Sequence, residues 1–535
     1  MLAVAAPRLA DRLFSSAEKF ASAFARCRHR AVLIVALSVI VARIALLGVF
    51  PVPTPAVHDE FSYLLAADTF LHARLANPPH PVWVYLDTFH VLGHPTYASI
   101  YPPAQGGVLA LGRLLGNPWI GVLFSMAVMC GAFTWMLQGW FAPKWALLGG
   151  VLAIARFGLF SYWVNSYWGG AVAATGAALV MGALPRIIQY QRGGDSVILG
   201  IGAAILANSR PLEGFLFCVP VLLALVVWAL SRRGPGLRVK FSRVITPVSC
   251  VLALMVLFMG YYNWRTTGNA LVHPHEVDQR ENVNLPVFLW QKLKPPLHYA
   301  NPQFESFYNV RLRERFPSSW RKWPRAATAR CKAWWQFFLG PVLSVPFLTL
   351  PWLLQDRRMR LLWVQFGIAV ASWLTLVWFE PHYAAPFAAS LWILLVQGMR
   401  HLRQWHWGTR PVGVALSRAI VLILVANVPL YIVQTVRHRP AEEGWGVARV
   451  RIVQQLESTP GRHLVIVRYT THHVDDDEWV YNAADIDHSK VVWAREIPGL
   501  SLQPLLDYFQ GRQVWLLEAD ASPPRLELYG RPASK

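Results

Sequence analysis

The sequence predicts a mainly α-helical, polytopic membrane protein. About eleven transmembrane helices are expected, with interfacial helices beside them and a small C-terminal α/β domain outside the cytoplasm. Three observations lead there. Of 535 residues, 55% are hydrophobic and only 15% charged, and the mean hydropathy is +0.34; a soluble chain carries nearer a quarter charged residues. Apolar runs of about 17–25 residues, the length that crosses a bilayer as a helix, recur along most of the chain. After about residue 437 the pattern changes to short strand-like runs.

Residues 1–30 carry Arg8, Arg12, Lys19, Arg26, Arg28 and Arg30 and lead into a spanning-length run with no small-residue cleavage site. They are expected to form a cytoplasmic basic N-terminus. Apolar runs follow at roughly 31–50, 119–140, 144–163, 169–188, 196–209, 213–231, 243–262, 335–355, 361–379, 383–399 and 412–434. Arg43 lies inside the first, where a charge is costly unless it faces protein, water or an anion. It is either a bundle-facing arginine or a phosphate contact.

Basic loops orient the path. Ser231–Arg243 contains Arg232, Arg233, Arg238, Lys240 and Arg243; Arg357–Arg360 and Arg400–Arg410 are also basic. Placing all three inside fits an alternating path through eleven spans. That path puts two long loops, 51–118 and 263–334, on the outer side together with residues 435–535. The stretch 104–117 is too short to span and is interrupted by Arg113, so it reads as an interfacial helix. His463–Tyr469, Val491–Ala494 and Gln513–Glu518 read as strands, with Leu502–Phe509 as a helix among them. The membrane module is therefore expected over 31–434 and the outer domain over 435–535.

The net charge of +21 is concentrated largely in short loops between apolar runs, which argues against a nucleic-acid partner. Five cysteines show neither a disulfide spacing nor a zinc spacing. There is no P-loop and no strand followed by G-x-G-x-x-G, so no nucleotide site is expected.

Chemistry is concentrated at His58-Asp59-Glu60, directly outside the first run. Glycosyl transfer to a hydroxyl needs a carboxylate to orient the nucleophile and receive its proton. It also needs stabilisation of charge growing on the departing phosphate. Asp59 and Glu60 are the candidate catalytic pair, with His58 in support. Asn208 to Gly214 joins two runs on the outer side; there Arg210 grips phosphate oxygens with Glu213 in support, or pairs with Glu213 in a tight turn, and the two readings can coexist. Glu380 to Pro386 holds His382 and Tyr383, as donor contacts or as an interfacial anchor. His273, His275 and Glu276 open the second outer loop and are candidates for support or for a divalent metal. The basic residues of that loop, Arg311, Arg313 and Arg315 among them, suit an anionic acceptor.

One span, an outer loop opening with Asp-Glu, and Tyr101-Pro102-Pro103 before an interfacial helix resemble the membrane glycosyltransferases of the GT-C superfamily, in its protein O-mannosyltransferase and aminoarabinose-transferase branch. The resemblance covers roughly residues 31–434. It implies a bundle of about eleven or more spans, a polyprenyl-phosphate-linked sugar as donor, and Asp59 as the catalytic acid/base with Glu60 beside it. The two long outer loops would enclose the site. Family members often carry a basic residue beside the Pro-Pro pair; here Tyr101 stands there as a candidate donor contact, with Arg210 or His382 as substitutes for the basic residue. The C-terminal domain matches nothing in the resemblance.

The leading expectation is a hexosyl- or pentosyltransferase in the bacterial inner membrane, its site and C-terminal domain facing outward. It would take a polyprenyl-phosphate sugar as donor and a glycan, lipid or protein as acceptor, inverting the anomeric carbon. The main rival is a transporter or flippase of a lipid-linked sugar. Transporters place charges at mid-membrane, on broken helices or inverted repeats; here the suggestive charges gather at one face and no repeat is evident. A scaffold displaying the C-terminal domain is the third reading.

Overall fold

The computed structural model describes residues 11–231, 236–316, 322–438 and 444–530. Arg8, Arg232 and Arg233 lie outside the described residues, as do 531–535 of the expected outer domain.

Each expected apolar run forms helix, but not every run forms one clean span. Five helices are long and apolar enough to cross a membrane among the described residues: Pro118–Trp140, Ala171–Tyr190, Pro211–Leu230, Leu237–Thr267 and Val412–Arg437. A sixth span arises if the pair Trp323–Phe338 and Gly340–Gln355, bent by 92°, counts as one. The shortfall from eleven has local causes. The first run ends at Ala45 and carries Arg28, Arg30 and Arg43 within its helix. The second half of 144–163 changes to a π-turn at Ile154–Gly158. The start of 383–399 is 3₁₀, Pro381–Phe387. Gly193–Ala207 has only 15 residues and Arg360–Thr375 only 16.

Small residues set the centre of the bundle. The Pro118–Trp140 and Ala171–Tyr190 windows are 78% and 72% buried, whereas those of Leu237–Thr267 and Val412–Arg437 are 6% buried and turn apolar surface outward. With lipid as solvent, helices associate through close backbone approach rather than through burial from water. Gly176 and Gly202 face each other, so that a Cβ on either would come within 2.8 and 2.6 Å of the other's carbonyl oxygen. A Cβ at Gly182 would sit 2.3 Å from the Trp135 ring. Arg43 proves to be bundle-facing: its guanidinium donates to Phe50 O at 2.8 Å and Asn165 Oδ1 at 2.7 Å and lies 5.0 Å from the Trp119 ring centroid.

The outer region begins with the helix His58–Leu71. A short antiparallel pair follows, β1 (Val91–Leu92) with β2 (Ala98–Ser99). The expected interfacial helix runs Pro103–Leu114, started by Pro103 at its first position. One side of it packs closely, since a Cβ at Gly112 would meet Gly121 N at 2.2 Å. Leu111 and Leu114 stay exposed on the other side.

The C-terminal unit has the three expected strands, β3 (His463–Arg468), β4 (Val491–Arg495) and β5 (Gln513–Glu518), and a fourth, β6 (Arg525–Leu528). The order is β4-β3-β5-β6, with β3 parallel to both neighbours and β5–β6 antiparallel. Five of six residues of β3 are buried, as a central parallel strand requires. A further helix, Trp445–Ser458, lays Ala448, Ile452 and Leu456 on the sheet at i, i+4, i+8 spacing. A second apolar cluster joins this unit to the outer loop: Phe61, Leu65, Tyr85 and Tyr97 pack with Leu464, Ile466, Tyr481 and Val492.

Candidate active site

Asp59 sits in the first turn of His58–Leu71, where the helix dipole and unpaired backbone N–H groups favour a negative charge. It is half-buried. Its Oδ1 accepts a hydrogen bond from the Tyr101 hydroxyl. Tyr101 is held from three sides. Its amide donates to Ser99 Oγ at 3.2 Å, its carbonyl accepts from the Tyr262 hydroxyl at 3.1 Å, and its ring stacks on Tyr63 at 4.5 Å. Burial, and then the charge of Asp59, holds the Tyr101 hydroxyl well above its usual pKa, so it stays protonated and donates. Tyr63 is four residues beyond Asp59, one turn along the same helix face.

Arg210 closes the other side. It caps Pro211–Leu230, and its Cζ lies 4.5 Å from the Tyr383 ring centroid. Among the described residues its guanidinium N–H groups have no hydrogen-bond or ion-pair partner. The alternative pair with Glu213 is not formed. Glu213 is buried one turn away and acts on Arg210 only through space. Tyr63, Tyr101 and Tyr383 all lie within electrostatic reach of Arg210, and Tyr63 and Tyr383 also feel Asp59. One carboxylate and one guanidinium without a hydrogen-bond or ion-pair partner among the described residues thus share a setting of three tyrosines.

Glu60 does not share it. It is 3% exposed, and both its oxygens are occupied by backbone amides: Ala56 N at 2.8 Å, Val57 N at 3.1 Å and Tyr167 N at 2.9 Å. Burial pushes its pKa up to about 7 against the pull of these three amides. The adjacent residue on a helix points about 100° away, and here that turn sends Glu60 to clip the helix start onto the segment before Ala171. His58 is also drawn off. Its Nε2 is 2.9 Å from Asp475 O and its ring stacks on Phe89 at 4.4 Å. Burial, with His90 next, lowers its pKa to about 4, so it is neutral.

His382 stands behind Tyr383. It is 1% exposed, with Nδ1 3.1 Å from the Tyr162 hydroxyl and its ring 4.6 Å from Trp168. His273 caps Pro274–Glu281, accepting from His275 N at 3.3 Å. Burial, with His275 next, takes its pKa down to about 4. His275 is exposed at the start of that helix. Glu276 turns away to pair with Arg280 one turn on. Among the described residues no three His, Cys, Asp or Glu side chains converge as a metal-binding group, which leaves the His275–Glu276 metal candidate without a third ligand. Arg311 pairs with Asp476 of the C-terminal unit, and Arg313 donates to Lys294 O at 2.8 Å. Both guanidinium groups thus have partners within the protein, and the Arg315 side chain lies outside the described set.

Tyr101, which stands where family members often carry a basic residue, is the hydrogen-bond partner of Asp59. Sequence reading missed Tyr63 and Tyr262. The i+4 spacing from Asp59 was a usable signal for Tyr63, while Tyr262 comes from a distant helix with no local cue.

No family model matches the chain, and no curated protein matches it. Among solved structures it is similar to the oligosaccharyltransferase of Archaeoglobus fulgidus tethered with an acceptor peptide, with TM-score 0.46 and 12% identity over 84% of this chain and 62% of that one. The chain thus spans less than two thirds of that enzyme's length. It is also similar to ArnT from Cupriavidus metallidurans, in the apo state and bound to undecaprenyl phosphate, each with TM-score 0.46 and 14% identity over 90% of this chain and 92% of that one. Overlaps this loose say nothing about which residues act.

Proposed function

We propose that this protein is a membrane glycosyltransferase that moves a sugar from a polyprenyl-phosphate-linked donor to an acceptor hydroxyl or amine. The carrying observation is that a carboxylate accepting from Tyr101 and a guanidinium with no hydrogen-bond or ion-pair partner among the described residues have the same three tyrosines as neighbours.

Arg210 binds the donor phosphate, bidentately where its planar fork meets two oxygens. Asp59, oriented by the Tyr101 hydroxyl, takes the acceptor proton. The acceptor oxygen or nitrogen forms its bond to the anomeric carbon as the bond from that carbon to the phosphate oxygen breaks. The electron pair leaves with the polyprenyl phosphate, and Arg210 stabilises the charge that grows there. Direct displacement inverts the anomeric carbon. A positioned general base supplies about 10²–10⁴-fold in rate.

The donor sugar, a hexose or pentose, would be met at the outer face of a bacterial inner membrane, with the N-terminus cytoplasmic, as the distribution of basic loops supports. Glu60 and His58 serve in this reading as anchors of the Asp59 helix. The test is reconstitution in liposomes with synthetic undecaprenyl-phosphate pentoses and hexoses and a membrane-extract acceptor. A covalent product bearing the sugar supports the reading. Passage of the intact donor across the bilayer with no product replaces it with transport.

A further inference from the structure

The C-terminal unit lies along one face of the helix that carries Asp59. His58, Phe61, Leu65 and Asp68 are spaced 3, 4 and 3 apart, a single helical face, and three of them touch the segment 475–484 or its neighbours directly. His58 Nε2 is 2.9 Å from Asp475 O. Phe61 stacks on Tyr481 with centroids 4.2 Å apart and planes 4° from parallel. Asp68 Oδ2 accepts from Ala484 N at 2.7 Å. Leu65 completes the face in the same apolar cluster as Tyr481. From the hairpin side, the Tyr97 hydroxyl donates to Asn482 O at 3.0 Å.

The segment is itself fixed to the sheet. Glu478 pairs with Arg495 of β4 in full burial and accepts from the Tyr469 hydroxyl at 2.6 Å and from Val480 N at 2.8 Å. Asn482 and Trp493 exchange two hydrogen bonds, each of 2.8 Å. Arg449 donates to Trp479 O at 3.1 Å and Tyr481 O at 2.8 Å while its Cζ lies 5.0 Å from the Phe61 ring centroid. A first helical turn has unpaired amides and frays readily. Here Glu60 ties that turn on one side and this segment on the other, with Asp59 between them.

We propose that residues 475–484 form a splint for the Asp59 helix, and that Tyr481 is a positioning residue that sets Asp59 through the ring of Phe61. What Asp59 does rests on the functional reading above; the splint rests on these contacts. An error of about 1 Å in a reacting group costs on the order of 100-fold in rate, so the splint's effect is expected on turnover rather than on donor binding.

The test uses the full chain in nanodiscs, as wild type, Tyr481→Ala and Tyr481→Phe. Three quantities are read: amide hydrogen exchange over residues 57–68, affinity for undecaprenyl phosphate, and turnover of an undecaprenyl-phosphate sugar. Tyr481→Ala is expected to speed exchange over 57–68 by about tenfold or more and to lower kcat by roughly 10- to 100-fold, with lipid affinity within about twofold of wild type. Tyr481→Phe, which keeps the ring, is expected to match wild type in all three. Wild-type exchange over 57–68 in Tyr481→Ala overturns the proposal, as does a fall in affinity equal to the fall in turnover. Should Tyr481→Ala also open the amides of β3–β5, Phe61→Leu removes the same stack from the helix side and decides by the same criteria. A wild type that turns over no polyprenyl-phosphate sugar overturns the functional reading alone, and the exchange over 57–68 then still decides the splint.

Discussion

Tyr101 donates its hydroxyl to Asp59 across 42 residues of chain, and its ring rests on Tyr63, which rises from the same helix as Asp59. One tyrosine therefore orients the carboxylate and packs against its scaffold. The prolines after Tyr101 keep it out of the helix they start, because a residue before proline avoids the helical region. That keeps Tyr101 outside the interfacial helix, where its hydroxyl reaches Asp59.

Removing this donor tests its role. Tyr101→Phe keeps the stack on Tyr63 and deletes one hydrogen bond to a charged group, which is worth about 1.5–3 kcal/mol. Turnover is expected to fall by roughly 10- to 100-fold with undecaprenyl phosphate affinity unchanged, as steady-state kinetics beside equilibrium lipid binding would reveal. Equal losses in both would make Tyr101 a donor contact instead.

Arg210 carries the opposite expectation. Arg210→Ala removes a charge-assisted contact of about 1.5–3 kcal/mol, so undecaprenyl phosphate is expected to bind about 10- to 100-fold more weakly. Arg210→Lys restores the charge without the fork or the flat contact with Tyr383 and recovers only part of the affinity. Fluorescence titration with the lipid phosphate measures both. Unchanged binding in Arg210→Ala would move the phosphate site elsewhere.

Glu60 makes stability depend on pH. Its folded pKa of about 7 lies above the ordinary carboxylate value of 4.5, so folding favours the protonated form. The stabilisation is fully present below about pH 4.5 and is lost as pH rises through about 7. Glu60→Gln still offers an oxygen to the Ala56 and Val57 amides and cannot ionise. The difference in thermal midpoint between wild type and Glu60→Gln, followed from pH 4.5 to 8, is expected to move against wild type as pH rises. A difference that does not vary with pH would contradict the assignment.

The bundle was legible because long apolar runs leave few alternatives. The break at Gly340, where φ is +58°, was not: Arg156, far away in sequence, donates to the carbonyls of Gln336 and Phe337 just before it. In the C-terminal unit the buried strands stood out, while β6 did not. It is four residues long and none of them is buried, so it gives little hydrophobic signal. At the site, Asp59 and Arg210 could be read from their places just outside apolar runs. Glu60 could not be separated from Asp59, because adjacent acids look equivalent until the helix sends them in different directions. The part played by Tyr101 depended on a tertiary contact with no sequence spacing behind it.

The most direct measurement is sugar transfer by Asp59→Asn at wild-type abundance in the membrane. Asparagine keeps the size of the side chain and an oxygen that can accept from Tyr101, but it cannot take the acceptor's proton. Turnover is expected to fall by about 10²–10⁴-fold, with undecaprenyl phosphate bound as well as by wild type or more tightly, since a negative charge facing the phosphate has been removed. Wild-type turnover in Asp59→Asn would contradict the account.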